Sequence, residues 1–443
     1  MTSTAPATAS VVTAPRTQAT KASTRRGPSP LELLVGSVVV AIFLYEVLFN
    51  LLPSGIRLQM AGALAMGIVL LSLAWIVARP RIWRIILFAL LLVVAGCWVM
   101  GEAGGEGKLD FAKGIRFLLP LFFALWIIEL RRALDPRLLL FLAASTIIIA
   151  MLSSVLRPQE VIGSVMRLAP FTGGEKGAHA SSYVLALCAL QIHQLWLNRS
   201  ISRRVAWSFL ALAGLLLVGM RVATPIFMLL NYGLLHILFT RKLKGGTKIL
   251  LWFTIVGSMV AVLVWHEAMQ EQVRGEEIQS AENMGSGRVG TWLGRIDLLS
   301  RRSVPSLLFG TGPGSDSFYS EIWWWEKKDS HHDLLTTTIE SGFLGLSSVF
   351  LFLFLLFRRL GRDGFPLAWF LISGSLVSNA LMQRPIIATM FWIAVALAAI
   401  RIDEQLRVRW LQQRTRQQQM RRKQGLSGNG PARRRRRTEP SAP

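Results

Sequence analysis

The sequence predicts an all-α polytopic membrane protein with about twelve transmembrane helices and one large external loop. Three observations carry that expectation. Apolar residues fill 52% of the 443 positions and charged residues only 17%, a balance typical of chains that live in lipid. The apolar residues fall in runs near the ~20 residues needed to cross the hydrocarbon as a helix, far longer than barrel strands. Basic residues gather in alternate connections between those runs, as they do in cytoplasmic loops.

The first 29 residues are rich in Ser, Thr, Ala and Pro, with Arg25 and Arg26 beside the first apolar run. That composition predicts a disordered basic cytoplasmic leader. The first run is full length and begins late, which argues against a cleaved signal peptide. The expected spans are 31–52, 59–78, 83–101, 115–131, 138–156, 181–198, 205–220, 222–240, 249–266, 334–357, 366–381 and 385–401, in a membrane domain covering 30–402. Residues 403–443 form a basic tail ending in the run Arg433 to Arg437, suited to solvent or anionic lipid headgroups.

The loops 79–84, 131–137, 199–204, 241–248 and 358–364 are all basic. They alternate with 101–110, 157–180 and 267–333, which carry more acid. Placing the basic loops inside puts both termini in the cytoplasm and 267–333 outside. The formal net charge of +24 is therefore a topology signal, and no nucleic-acid partner is expected. Cys97 and Cys188 fall inside apolar runs and read as small core residues.

The 267–333 loop is the place for chemistry. It contains Gly287, Arg288, Trp292 and Arg295, a turn Gly310-Thr311-Gly312-Pro313-Gly314, and an aromatic run from Trp323 to Trp325. Tryptophans near a boundary anchor at the membrane interface, and sugar stacking is the other use for them. The loop ends in His331, His332, Asp333, Leu334 and Leu335, followed inside the next span by Glu340, Gly342 and Gly345. Ionisable groups at a membrane boundary are costly, so such a cluster is a functional hypothesis by default.

On these residues the chain resembles the O-antigen ligase and O-antigen polymerase superfamily of bacterial membrane glycosyltransferases. That family carries a histidine, usually followed by asparagine, then a leucine and E-x-G-x-x-G. Here His331, Leu334 or Leu335, Glu340, Gly342 and Gly345 fit, with His332 in place of the asparagine. A G-R-x-x-x-W element matches Gly287, Arg288 and Trp292, and a glycine turn follows it. An arginine at the external end of an earlier helix matches Arg221, although Met220 stands where serine is common.

The resemblance implies a GT-C-like membrane enzyme of the bacterial inner membrane with its active site facing the periplasm. It implies transfer of a glycan from undecaprenyl diphosphate to the hydroxyl of a glycan or lipid acceptor. In that reading Arg288 and Arg221 bind the diphosphate, for which the planar guanidinium is suited. His331 is the general base, because histidine titrates near neutral pH. Substrate contacts extend to Arg295, Arg116, Arg167, His332, Glu340 and Trp292. Arg295 reads equally as a loop-surface charge, and Glu340 as a residue that orients an arginine or backbone groups. Gly342 and Gly345 read as sites of close helix packing. His179 reads as structural, and His193 and His236 as packing residues near the inner side. The sequence has no H-E-x-x-H, no cysteine cluster and no D-x-D, so a metal-independent, cofactor-free reaction is expected.

Two products are open, a polymer of repeat units (O-antigen or exopolysaccharide) or a glycan ligated to lipid A core or another acceptor. A chain-length regulator is an open partner. A transporter shares the twelve-helix layout, but transporters place ionisable residues at the midplane of broken helices and often show two related halves.

Overall fold

The structure is a computed structural model. It describes residues 28–48, 52–78, 81–103, 110–156, 160–162, 165–171, 177–241, 243–258, 288–317, 330, 332–377 and 385–427. Twelve of its helices correspond to the expected runs: α1 (Pro30–Leu48), α2 (Ser54–Ala78), α3 (Ile82–Ala103), α4 (Phe111–Glu129), α5 (Pro136–Leu156), α6 (Gly177–Leu197), α7 (Arg203–Met220), α8 (Ala223–Thr240), α9 (245–258), α12 (Asp333–Arg358), α13 (Gly364–Val377) and α14 (Pro385–Ser427). Two shorter helices, α10 (Arg288–Ser300) and α11 (Val304–Phe309), lie between α9 and α12. A two-stranded antiparallel ribbon, β1 (Glu160–Ile162) and β2 (Val165–Arg167), pairs Val161 with Met166 between α5 and α6.

Nine helices among the described residues are long and apolar enough to cross a membrane. α4 carries Lys113, Arg116 and Glu129 and is not among them, and the described parts of α9 and α13 are shorter than a span. Among these nine helices, α6 and the apolar part of α14 are the most buried, at 83% and 78% of their windows, whereas α2 has 11%. The bundle is thus built around α6 and α14, with α2 at its rim.

Lipid tails are as apolar as leucine, so helices in a membrane associate through close packing and hydrogen bonds. α6 presents Ala178, Ala180, Ser181, Ser182, Ala186 and Ala189 to its neighbours, all buried. Gln191 Nε2 donates to the Met390 carbonyl at 2.9 Å, and Asn198 Nδ2 donates to the Leu397 carbonyl at 2.9 Å. These two bonds lock α6 onto α14 at points two turns apart. At the rim, Ser72 Oγ on α2 donates to the Phe122 carbonyl of α4.

The two ends of the bundle differ in chemistry. At one end Arg84 pairs with Glu129, Arg131 with Asp403, and Arg401 with Asp363 and Gln194. At the other, Lys113 Nζ donates to Ser317 and the Trp98 indole donates to Ser341. Helix ends flanked by basic loops thus lie together at one end of the described bundle.

One expectation gains detail and one changes. The basic tail expected from residue 403 begins as helix, because α14 continues without a break to Ser427. Its Arg, Gln, Leu and Lys residues are strong helix formers, with no proline. At ~1.5 Å per residue the extension reaches roughly 40 Å beyond the span. The run 334–357 was expected as one continuous helix, but α12 breaks at Gly342, which sits at φ +63° and ψ −175°.

Candidate functional site

The break in α12 builds the site. A non-helical residue at 342 withdraws the amides that would bond back to the preceding turn. The exposed carbonyls must find other donors. The glycine turn after α11 supplies them: Thr311 N–H donates to Ile339 O at 3.1 Å and Gly312 N–H to Glu340 O at 3.0 Å. Arg302 Nη1 adds a bond to Ile339 O at 2.9 Å, and the Thr311 hydroxyl another at 3.2 Å.

Only glycine permits that approach. Gly310 has φ +77°, and a Cβ there would collide with the Glu340 carbonyl group and Ser341 N. A Cβ on Gly342 would collide with Leu308 O and Gly310 N. From α3, a Cβ on Gly101 would lie 2.7 Å from Gly310 O. Gly342 thus serves close packing, as expected, and also the break, which the sequence did not show. The Glu340 side chain, 5% exposed, accepts the Gly314 N–H at 2.7 Å. It orients backbone, the role foreseen as one of its alternatives.

Above the break, Asp316 joins three elements. It is 0% exposed, and Arg295 on α10 is 2% exposed. Arg295 Nε donates to Asp316 Oδ1 at 2.9 Å and its Nη2 to Asp316 O at 3.1 Å. Asp316 Oδ2 accepts the Ser330 N–H at 2.8 Å and the Thr336 hydroxyl of α12 at 2.6 Å. Burial pushes the Asp316 carboxyl up from 3.8, while Thr336, Ser330 and Arg295 pull it down. The open choice for Arg295 therefore resolves against a loop-surface charge: it is a buried ion-pair partner.

Trp292, one turn before Arg295, donates its indole N–H to Ser330 O at 2.7 Å and meets the His332 ring edge-on at 5.2 Å. His332 caps α12: its Nδ1 accepts the Leu335 N–H at 3.2 Å. Burial lowers its pKa below the ordinary 6.5, which keeps the ring neutral and able to accept. Ser330 and His332, on either side of position 331, are each held by side-chain bonds. His331 itself lies outside the described residues, as do the side chain of Arg288 and the run Trp323 to Trp325.

α4 abuts the same turn. Asp110 N–H donates to Pro313 O, Asp110 Oδ1 caps α4 at Lys113 N, and Lys113 Nζ donates to Ser317. Arg116 is exposed one turn further along. Arg167 and Arg221 lie on neighbouring segments, because the Leu168 N–H next to Arg167 donates to Gly219 O at 3.0 Å. Arg221 closes α7 in the left-handed region, at φ 54°, and is exposed. Among the described residues, the side chains of Arg116 and Arg221 make no hydrogen bond or ion pair. His179 packs edge-on to Tyr183 at 5.3 Å.

The structure thus brings Trp292, Arg295, His332 and Glu340 into one bonded network, and places Arg167 beside Arg221 as a second pair of segments. Sequence reasoning missed Asp316, Thr336, Ser330 and Arg302. An aspartate in a polar loop carries no sequence signal of burial, and Arg302 looks like any loop cation. Neither a family model nor a curated protein matches the chain.

Proposed function

We propose that this protein is a membrane glycosyltransferase of the O-antigen ligase and polymerase kind, and that it polymerises lipid-linked repeat units of an envelope polysaccharide. The reading adds twelve spans, both termini in the cytoplasm and a site facing the periplasm of a bacterial inner membrane. One observation carries it. The buried Arg295–Asp316 pair, with Trp292 and Thr336, anchors the residues on both sides of His331 where α12 begins, at the end of the bundle away from the basic loops. Positioning of a reacting group by rigid neighbours is what a transfer reaction needs.

His331 takes the proton from the acceptor hydroxyl as that oxygen attacks the anomeric carbon. The bond to undecaprenyl diphosphate breaks with inversion, and the diphosphate leaves with the electron pair. Arg288 and Arg221 stabilise the charge that develops on it, and Arg116 and Arg167 contact the lipid phosphates. His332 supports the reading in a second way. Asparagine, usual at that position in the family, is a strong N-cap, and the His332 Nδ1 fills the same capping role.

The test is polymer output in cells with matched protein levels. Arg288→Lys keeps the charge but loses the bidentate fork, and is expected to abolish product. His331→Ala is expected to abolish it as well, and His332→Ala to reduce it less. Normal product from Arg288→Lys would remove Arg288 from the diphosphate site. A reversed ranking of the two histidines would move the base to His332.

A further inference from the structure

At the end of the bundle opposite the candidate site, two cavities adjoin. One, of about 400 Å³, is bordered by Arg81, Arg84, Arg131, Arg132 and Glu129. The other, of about 200 Å³, shares Glu129 and Arg131 and adds Arg359 and Asp403 over apolar walls that include Leu87, Leu125 and Leu356. Arg84 is paired with Glu129, and Arg131 with Asp403. Arg359 lies over the Trp83 ring at 3.8 Å from its centroid. Arg132 reaches Asp403 only at 3.7 Å and has an 84% exposed side chain, and Arg81 is exposed.

Five arginines thus border the two cavities against two carboxylates. Both carboxylates already have a close arginine partner, so Arg81, Arg132 and Arg359 are in surplus. Trp75 and Leu31 also line the larger cavity, and tryptophan favours the headgroup level of a bilayer.

We propose that this basic crevice between α1, α2, α3, α4, α12 and α14 binds the phosphate headgroup of an anionic lipid. The arginines hold the phosphate oxygens, and the apolar walls beside them accommodate the adjoining part of the lipid. A phosphate group is the recognised chemistry, and a free phosphate ion carries it too. The cleft between membrane helices and its apolar walls favour the lipid. The proposal holds whichever reaction the opposite end performs.

The experiment uses the full chain in detergent. The midpoint of thermal unfolding is followed while phosphatidylglycerol, phosphatidylcholine or inorganic phosphate is added. Phosphatidylglycerol is expected to raise the midpoint saturably, and the other two are expected not to. In the double variant Arg81→Gln, Arg132→Gln, whose exposed side chains leave the packing intact, the apparent affinity is expected to fall about 25-fold, some fivefold per arginine. Arg137→Gln, exposed at the same end but outside both cavities, is expected to keep wild-type affinity. An equal shift with phosphatidylcholine overturns the proposal, and so does unchanged affinity in the double variant. An equal shift with inorganic phosphate overturns the lipid as the source.

Discussion

Replacing Asp316 with alanine should release the loop from the start of α12. The carboxylate is fully buried and accepts from Arg295, Ser330 and Thr336. Removing it strands a guanidinium that is only 2% exposed. Breaking a buried pair from one side costs about 3–5 kcal/mol, against about 1 kcal/mol for an ordinary hydrogen bond. Asp316 ties a loop to a helix start, so the cost should appear as local opening more than as global unfolding. Amide hydrogen exchange at Ser330 and at Thr311 to Ser315 reads it directly. A loss of about 3 kcal/mol corresponds to roughly a hundredfold faster exchange there. Asp316→Ala combined with Arg295→Met should cost less than the sum of the two singles, because the second change removes the stranded charge. Exchange at Ser330 within about threefold of wild type would refute the clamp, and additive single effects would refute the pairing.

Three further outcomes are expected. Gly342→Ala should destabilise by at least about 1–3 kcal/mol from backbone conformation alone, with the collision against Leu308 O and Gly310 N in addition; a wild-type unfolding midpoint in detergent would contradict the break. Trp98→Phe removes the indole donor to Ser341 and should cost about 1 kcal/mol, read as a small drop in the same midpoint. The His332 pKa is lowered in the folded state, so the unfolded chain binds the proton more readily. Stability is then fully present above the ordinary value of 6.5 and falls as pH drops below it. His332→Asn keeps a capping acceptor without a titrating ring, and should flatten that acid-side loss between pH 7 and 5; an unchanged slope would assign the loss to another group.

Much of the bundle was legible because lipid imposes length and hydropathy on each span. The Arg84–Glu129 and Arg131–Asp403 pairs lie among helix ends that carry basic loops, but the pairings themselves had no signal in the sequence. The break at Gly342 was not legible either. A glycine among apolar residues can serve packing or a break, and only the facing Gly310 turn decides between them. Asp316 was hidden for a similar reason: its burial comes from α10 and α12 folding over a polar segment, which no local pattern encodes. That the basic tail from residue 403 continues α14 as helix was not read from the sequence, because its charge is conspicuous and its helix-forming character is not.

The most direct test of the proposed polymerase is the pool of undecaprenyl-linked glycans in a strain that lacks this protein, measured by mass spectrometry. Single repeat units should accumulate while long lipid-linked polymer disappears. Long polymer accumulating beside a bare acceptor would contradict polymerisation in favour of ligation, and an unchanged pool would contradict glycan transfer altogether.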